Sequence, residues 1–356
     1  MKIVMDPANL IRSRVKQVTA YKVDKTPCPV LLDNKEAPYN LPDKLMEQVW
    51  VIMSGTGLNR YPEMDAEYLK SAIAKKEGAY ENELLLGNGS DEIIQTLIIS
   101  LCDPGSKILV PSPTFSMYAN IAFYLNVDTV EAPLNDDWSL DIDNTISLIK
   151  QTAPRIVFIA SPNNPTGFKY SRADIDAVID QAPGLVVIDE AYIDYSKEPA
   201  GLLYKERPNV AIMRTLSKSG LAALRLGYLM ADAKLTAQVD KVRLPYNINS
   251  VSQAVSAEVV KSWDSLAPMF DAVIKERERL FGELKSIDGV TPFPSVANFT
   301  LIKIDDGAGD VYNKLIKAGV RVRRFNGHER LGGYLQATVG TPDENNQFLS
   351  ALSSSV

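Results

Sequence analysis

The feature that most restricts this chain is an alternation. Short runs rich in Val, Ile and Leu, at residues 84–86, 107–110, 155–160, 185–188, 210–213 and 226–230, are separated by amphipathic stretches. Strands alternating with crossover helices build a mainly parallel, doubly wound sheet covered on both faces, so the expected class is α/β. Ile94, Leu97, Ile98 and Leu101 repeat at helical spacing, which predicts a helix opening near Asp91 and ending before the turn pair Pro104-Gly105. Ser171 and Asp174 resemble a capping box ahead of Ile175, Val178 and Ile179, another crossover helix.

After about residue 245 the pattern changes. A charged helical segment at 264–286 contains KERERLFGELK, whose interleaved charges read as the solvated face of a connecting helix. Strands are expected at 298–304, 320–324 and 334–339, with helices near 310–317 and 342–350, a smaller α+β unit that the N-terminal piece should join. With 356 residues the chain exceeds a single core, and we expect a large domain at 43–245 and a small one from 1–42 and 246–356. The terminal SSSV is expected to fray.

Composition excludes several functions. A net charge of -6 argues against nucleic acid, whose binders concentrate Lys and Arg. Cys28 and Cys102 stand far apart, which speaks against a disulfide framework or thiolate metal site and for a reducing, cytoplasmic setting. The single histidine, His328, leaves no set of imidazoles for a zinc site or a His-based triad, so no metal is expected. No apolar run is long enough for a membrane helix, and the first residues do not read as a signal peptide. Chemistry must come from lysine, carboxylates, tyrosine or a cofactor.

Four segments carry candidate chemistry. In TLSKSGLAALRLGY, Lys218 follows a strand with no acid beside it; such a lysine is either an ordinary surface residue or a poorly solvated amine able to form a Schiff base. In GLVVIDEAYIDY, Asp189 ends a strand where sheets of this class bind ligands; it either caps the next segment or meets a buried cation such as a protonated pyridine nitrogen. In SPNNPTG, Asn164 belongs to an Asn-Pro turn or points its amide at a ring oxygen. In LLLGNGSDE, Gly87 and Gly89 precede a helix N-terminus, which makes either a tight turn or a phosphate site.

Together with LLDNKEAPYNLP, NRYPE, PSPTFSMY and the closing TVGTPDENNQFL, these segments resemble the fold type I pyridoxal-phosphate aminotransferases, and more closely the histidinol-phosphate aminotransferase family, along almost the whole chain. The resemblance implies pyridoxal 5′-phosphate as cofactor and Lys218 as the residue that binds it covalently and shuttles the proton. It implies Asp189 on the pyridine nitrogen, Asn164 and Tyr192 on the ring hydroxyl, and Phe115 stacked on the ring. The phosphate would rest on Ser90, Asp91, Thr215, Ser217 and Arg225. Tyr61 of NRYPE looks like the tyrosine that reaches the phosphate from a neighbouring subunit, so a homodimer with shared active sites is implied. The implied reaction is a ping-pong transfer between histidinol phosphate and the glutamate/2-oxoglutarate pair, with Tyr21 and Arg323 at the substrate phosphate.

Ala37 stands where relatives often carry Asn and Phe115 where many carry Tyr, and one departure bears directly on the substrate. Relatives carry an arginine after the Leu of the final strand, where it binds a substrate carboxylate or phosphate; this chain has Gln336 in LQATVGT. Arg323 and Arg324 are candidates to replace it, and strand alternation sends only one of them to the cleft. Gln336 is what keeps an aromatic aminotransferase or a threonine-phosphate decarboxylase in view. A non-catalytic relative ranks last, because Lys218 and Asp189 are both present.

Overall fold

A computed structural model describes residues 6–20 and 24–356. Its two sheets contain strands β1 (Val30–Leu32), β2 (Leu84–Asn88), β3 (Lys107–Ser112), β4 (Asp128–Pro133), β5 (Ile156–Ala160), β6 (Leu185–Asp189), β7 (Val210–Thr215), β8 (Leu226–Ala231), β9 (Val290–Pro292), β10 (Phe299–Ile304), β11 (Val320–Arg324) and β12 (Tyr334–Thr338). The seven-stranded sheet runs β2-β8-β7-β6-β5-β3-β4. Its pairs from β4 through β7 are parallel, and β8 is antiparallel to both β7 and β2. The α/β class with a mainly parallel sheet is therefore observed. Chain order reverses between β3 and β5, the kind of place where open sheets of this type bind ligands.

β5, β6 and β7 are buried along their whole length, which is why they read as unbroken apolar runs. Their side chains alternate between two cores: Ile156 and Phe158 face one, Val157 and Ile159 the other. Helix Gly89–Leu101 lays Ile93, Ile94, Leu97 and Ile98 on the first of these. Helix Arg172–Gln181 begins at Ser171, whose hydroxyl accepts from the Asp174 N–H.

The second sheet has five strands in the order β1-β11-β12-β10-β9. β1 runs parallel to β11, so the segment after it is delivered from the N-terminal end of the chain to the edge of this sheet. Among the described residues no helix is long and apolar enough to cross a membrane, and no cluster of His, Cys, Asp or Glu could hold a metal.

Three local expectations need correction. The KERERL stretch lies in helix Ala267–Leu284, but Arg277 is only 6% exposed. Its guanidinium turns inward and donates to the Tyr195 and Ala297 carbonyls at 3.2 and 3.0 Å, while Arg279 pairs with Glu276 and Glu283 along the helix as a solvated face should. The C-terminal serines do not fray: helix Pro342–Ser353 reaches into them, and Ser355 is buried with its carbonyl accepting from Lys314 Nζ at 2.7 Å. β4 is an additional edge strand, half-exposed and interrupted by Asp128 and Glu131, so its residues lack an apolar run.

Candidate active site

A cavity of about 780 Å³ opens where the carboxyl ends of β3, β5, β6 and β7 face the segment after β1 and residues of β11. Lys218 sits on its wall. The Thr215 hydroxyl donates to the Leu226 carbonyl at 3.1 Å and accepts from the Ser217 N–H at 3.2 Å, curling the chain into a single turn directly after β7. Tyr195 donates to the Lys218 carbonyl at 2.6 Å, and Ser219 donates to Asp194 at 2.5 Å, so the turn is held from both sides. Lys218 Nζ donates to the Asn34 carbonyl at 3.1 Å, and among the described residues no carboxylate pairs with it. Burial, with Arg225 adding repulsion and Glu36 opposing, lowers the pKa of its amine.

Asp189 ends β6 at 4% exposure. Its Oδ2 accepts from the Tyr118 hydroxyl at 2.5 Å and its Oδ1 from the Ala191 N–H at 3.0 Å. Burial still pushes the carboxyl up to about 6, the behaviour of an acid that lacks a cation. Tyr118 is itself fixed, stacked on Phe158 at 4.6 Å between ring centroids and edge-on to Phe115 at 5.5 Å. Phe115, Asn164 and Tyr192 share the wall with Asp189. Tyr192 packs edge-on to Phe299, and burial beside Asp189 raises its phenol.

The opposite end of the cavity is built so that it could hold an anion. Helix Gly89–Leu101 points its N-terminus inward, where unpaired N–H groups favour a negative charge. Gly89 has φ +74, and a Cβ there would come within 2.8 Å of Arg225 Nη2; a Cβ on Gly227 would meet Ser90 N at 2.7 Å. The two glycines thus let guanidinium, strand and helix end converge. Arg225 donates from Nη1 to Ser217 Oγ at 3.1 Å, and its Nη2 lies 3.6 Å from Asp91 Oδ2. Ser90, Asp91, Thr215, Ser217 and Arg225 all line this end.

The remaining wall comes from the second sheet. Arg323 faces the cavity, whereas Arg324 lies over the Tyr312 ring at 6.0 Å, so alternation along β11 separates them. Gln336, directly opposite Arg323 on β12, is 1% exposed and stands behind the wall: its Nε2 donates to the Pro165 carbonyl at 3.0 Å and to Asn164 Oδ1 at 3.2 Å. Its Oε1 accepts from Lys35 Nζ at 3.0 Å. Tyr61 lies elsewhere on the surface, 81% exposed and stacked on Tyr246. Tyr21 falls outside the described residues.

Sequence reasoning did not single out Lys35, Tyr118 or His328 as members of this wall. Tyr118 had a usable signal, an aromatic one residue into the helix Met117–Tyr124 that follows Phe115. Lys35 had none, since its position depends on a left-handed backbone, φ 57, rare for lysine. His328 had been weighed only as a metal ligand or triad member; its Nδ1 is buried without a hydrogen-bond partner.

Residues 29–352 match a family model described as aminotransferase class I and II. The chain is 37% identical over 348 residues to a histidinol-phosphate aminotransferase of Aquifex aeolicus, covering 98% of each. It is 38% identical over 357 residues to histidinol-phosphate aminotransferase 1 of Ralstonia nicotianae, covering 98% of this chain and 94% of the relative. Its backbone matches the crystal structure of histidinol-phosphate aminotransferase from Sinorhizobium meliloti in complex with pyridoxal-5′-phosphate with a TM-score of 0.87. That match covers 97% of this chain and 96% of the other at 19% identity, a likeness of fold.

Proposed function

The chain belongs to the class I and II aminotransferases and, within them, to the histidinol-phosphate aminotransferase family; from that premise we propose that it moves an amino group between histidinol phosphate and the glutamate/2-oxoglutarate pair. Pyridoxal 5′-phosphate would occupy the cavity described above. The observation that carries this reading is convergence: an amine of lowered pKa, a buried carboxylate lacking a cation and an anion cradle face one space of about 780 Å³. The residues fit such a group, because a phosphate meets the cradle kept open by Gly89 and Gly227, and a ring cation meets Asp189.

The cofactor, when bound, supplies an aldehyde that condenses with amines and a ring that takes up the electron pair left by a departing Cα proton. The rest is the work of the protein. Ser90, Asp91, Thr215, Ser217 and Arg225 would hold the phosphate, with Arg225 suited to two oxygens at once. Asp189 would keep a proton on a ring cation placed against it, and Tyr118 holds that carboxylate in place. Asn164 and Tyr192 would orient the ring hydroxyl, and Phe115 would cover the ring face. Lys218 Nζ, its pKa lowered by burial, accepts a proton as the free amine and returns it. Tyr61, exposed and away from its own cavity, suits a homodimer in which it completes the partner's cradle; Trp50, Val51, Leu58 and Met64 are exposed apolar neighbours in sequence.

Borohydride reduction of the purified protein should fix the cofactor's mass on the peptide holding Lys218. Histidinol phosphate should bleach the bound cofactor's absorbance band, and 2-oxoglutarate should restore it with parallel-line, ping-pong kinetics. Label on another peptide overturns the assignment of Lys218. Transfer from aromatic amino acids without turnover of histidinol phosphate overturns the substrate.

A further inference from the structure

We propose that Lys35 is the residue that grips the anionic group of the substrate, with Gln336 as its positioning partner, an inference that rests on the aminotransferase reading of the same cavity. The anion is a carboxylate of the keto acid or amino acid, or the phosphate ester; one ammonium recognises either.

The geometry is built for one side chain. Lys35 is held in a left-handed backbone at φ 57. Its N–H donates to Thr338 Oγ1 at 2.9 Å, and its carbonyl accepts from Asn298 Nδ2 at 3.1 Å. A lysine in this conformation is strained, and such strain persists only where the surroundings over-determine it. The result is an ammonium on the cavity wall beside Lys218. Two of its contacts are neutral oxygens, Gln336 Oε1 at 3.0 Å and the Asp33 carbonyl at 3.5 Å, which leaves an N–H for the cavity.

The charges around it call for an anion. Lys218 and Arg323 face Lys35 as cations. The Asp33 carboxylate is already engaged by Arg321 Nε at 3.0 Å, and the Glu36 carboxylate on the wall acts chiefly on Lys218. Among the described residues no carboxylate forms an ion pair with Lys35. Burial first, then Lys218 and Arg323, hold its amine down to about 7, with Asp33 opposing. A buried ammonium with only neutral partners is costly, and an incoming anion relieves that cost.

Gln336 explains the arrangement from behind. Its Nε2 is committed to the Pro165 carbonyl and Asn164 Oδ1, which forces Oε1 toward Lys35. An arginine at this position would set a second cation against the ammonium; the amide presents an oxygen instead.

The test is calorimetric titration of 2-oxoglutarate and, separately, inorganic phosphate into the pyridoxal-phosphate-loaded enzyme, where the cofactor's own phosphate site is filled. Lys35→Met should weaken at least one probe by about 10- to 100-fold while the cofactor's absorbance band stays intact. Loss with 2-oxoglutarate alone identifies a carboxylate site, loss with phosphate alone a phosphate-ester site, and both support the proposal. Lys35→Arg should retain binding to within about threefold. Wild-type affinity should fall by about tenfold per pH unit once the pH passes the lowered pKa of Lys35, with proton uptake on binding, and Lys35→Met should lose that slope. Gln336→Glu, which leaves Lys35 in place but gives it a counter-ion, should also weaken binding and shift the slope to higher pH. Wild-type binding matched by Lys35→Met with the same pH slope overturns the role of Lys35 alone. A wild-type enzyme that binds neither probe overturns the anion niche; only one whose absorbance band no amino donor bleaches overturns the aminotransferase reading as well.

Discussion

The two walls of the cavity are made in different ways. The wall from the large sheet is built on main-chain features braced by side chains: a helix N-terminus, a turn closed by the Thr215 hydroxyl, and two glycines where a Cβ would collide with a guanidinium or an amide. The wall from the small sheet is fixed by side chains reaching across the sequence, with Lys35 and Gln336 301 positions apart. On the proposed reading, the main-chain features of the first wall would hold the chemistry common to every turnover, and the long-range side-chain contacts of the second would hold what distinguishes one substrate from another.

Lys218→Ala should produce the largest effect, a fall in turnover of about 10⁴-fold or more in a steady-state assay, since nucleophile and proton carrier vanish together. Activity within tenfold of wild type would break the comparison, because the large-sheet wall would no longer be where the chemistry sits. Asp189→Asn sharpens it through stability. With the folded carboxyl near pH 6, above its unfolded value, the folded chain holds a proton that the unfolded chain releases. This group's contribution to stability therefore falls as pH rises from about 4 to 6, by roughly 2 to 3 kcal/mol. Urea unfolding of cofactor-stripped protein should show that fall in wild type and lose it in Asp189→Asn.

Arg225→Gln should weaken retention of the cofactor by about thirtyfold, or ~2 kcal/mol, in equilibrium dialysis. Its effect on 2-oxoglutarate binding to the loaded enzyme should be small, the reverse of Lys35→Met. The smallest effect belongs to Arg324→Ala. Because Arg324 lies over Tyr312, away from the cavity, anion affinity should stay within about twofold, the range of an ordinary surface substitution. A loss as large as that of Arg323→Ala would mean that β11 presents its other face.

The same division governed what the sequence could reveal. Strands expected from apolar runs appear with ends within two residues of those expected, and β5, β6 and β7, buried along their whole length, carry their signal in every residue. β4 carried no such signal, since an edge strand tolerates Asp128 and Glu131 facing water. Motifs at strand ends made Asp189, Lys218 and Arg225 legible as candidates, each with the turn that places it close by in sequence. Alternation was enough to separate Arg323 from Arg324. Lys35 was invisible because its conformation is imposed by Thr338 and Asn298, hundreds of residues away. Arg277 was misread for a related reason: helical periodicity says which way a side chain points, and only the tertiary structure supplies the two carbonyls that satisfy it.

The contact between Lys35 and Gln336 also limits how such a chain can drift. Converting the glutamine to arginine first would crowd two positive heads into one niche; replacing the lysine first would strip the niche of charge and orphan the amide oxygen. Each single replacement is therefore expected to cost more anion affinity than the two made together, a coupling that a double-mutant cycle would read.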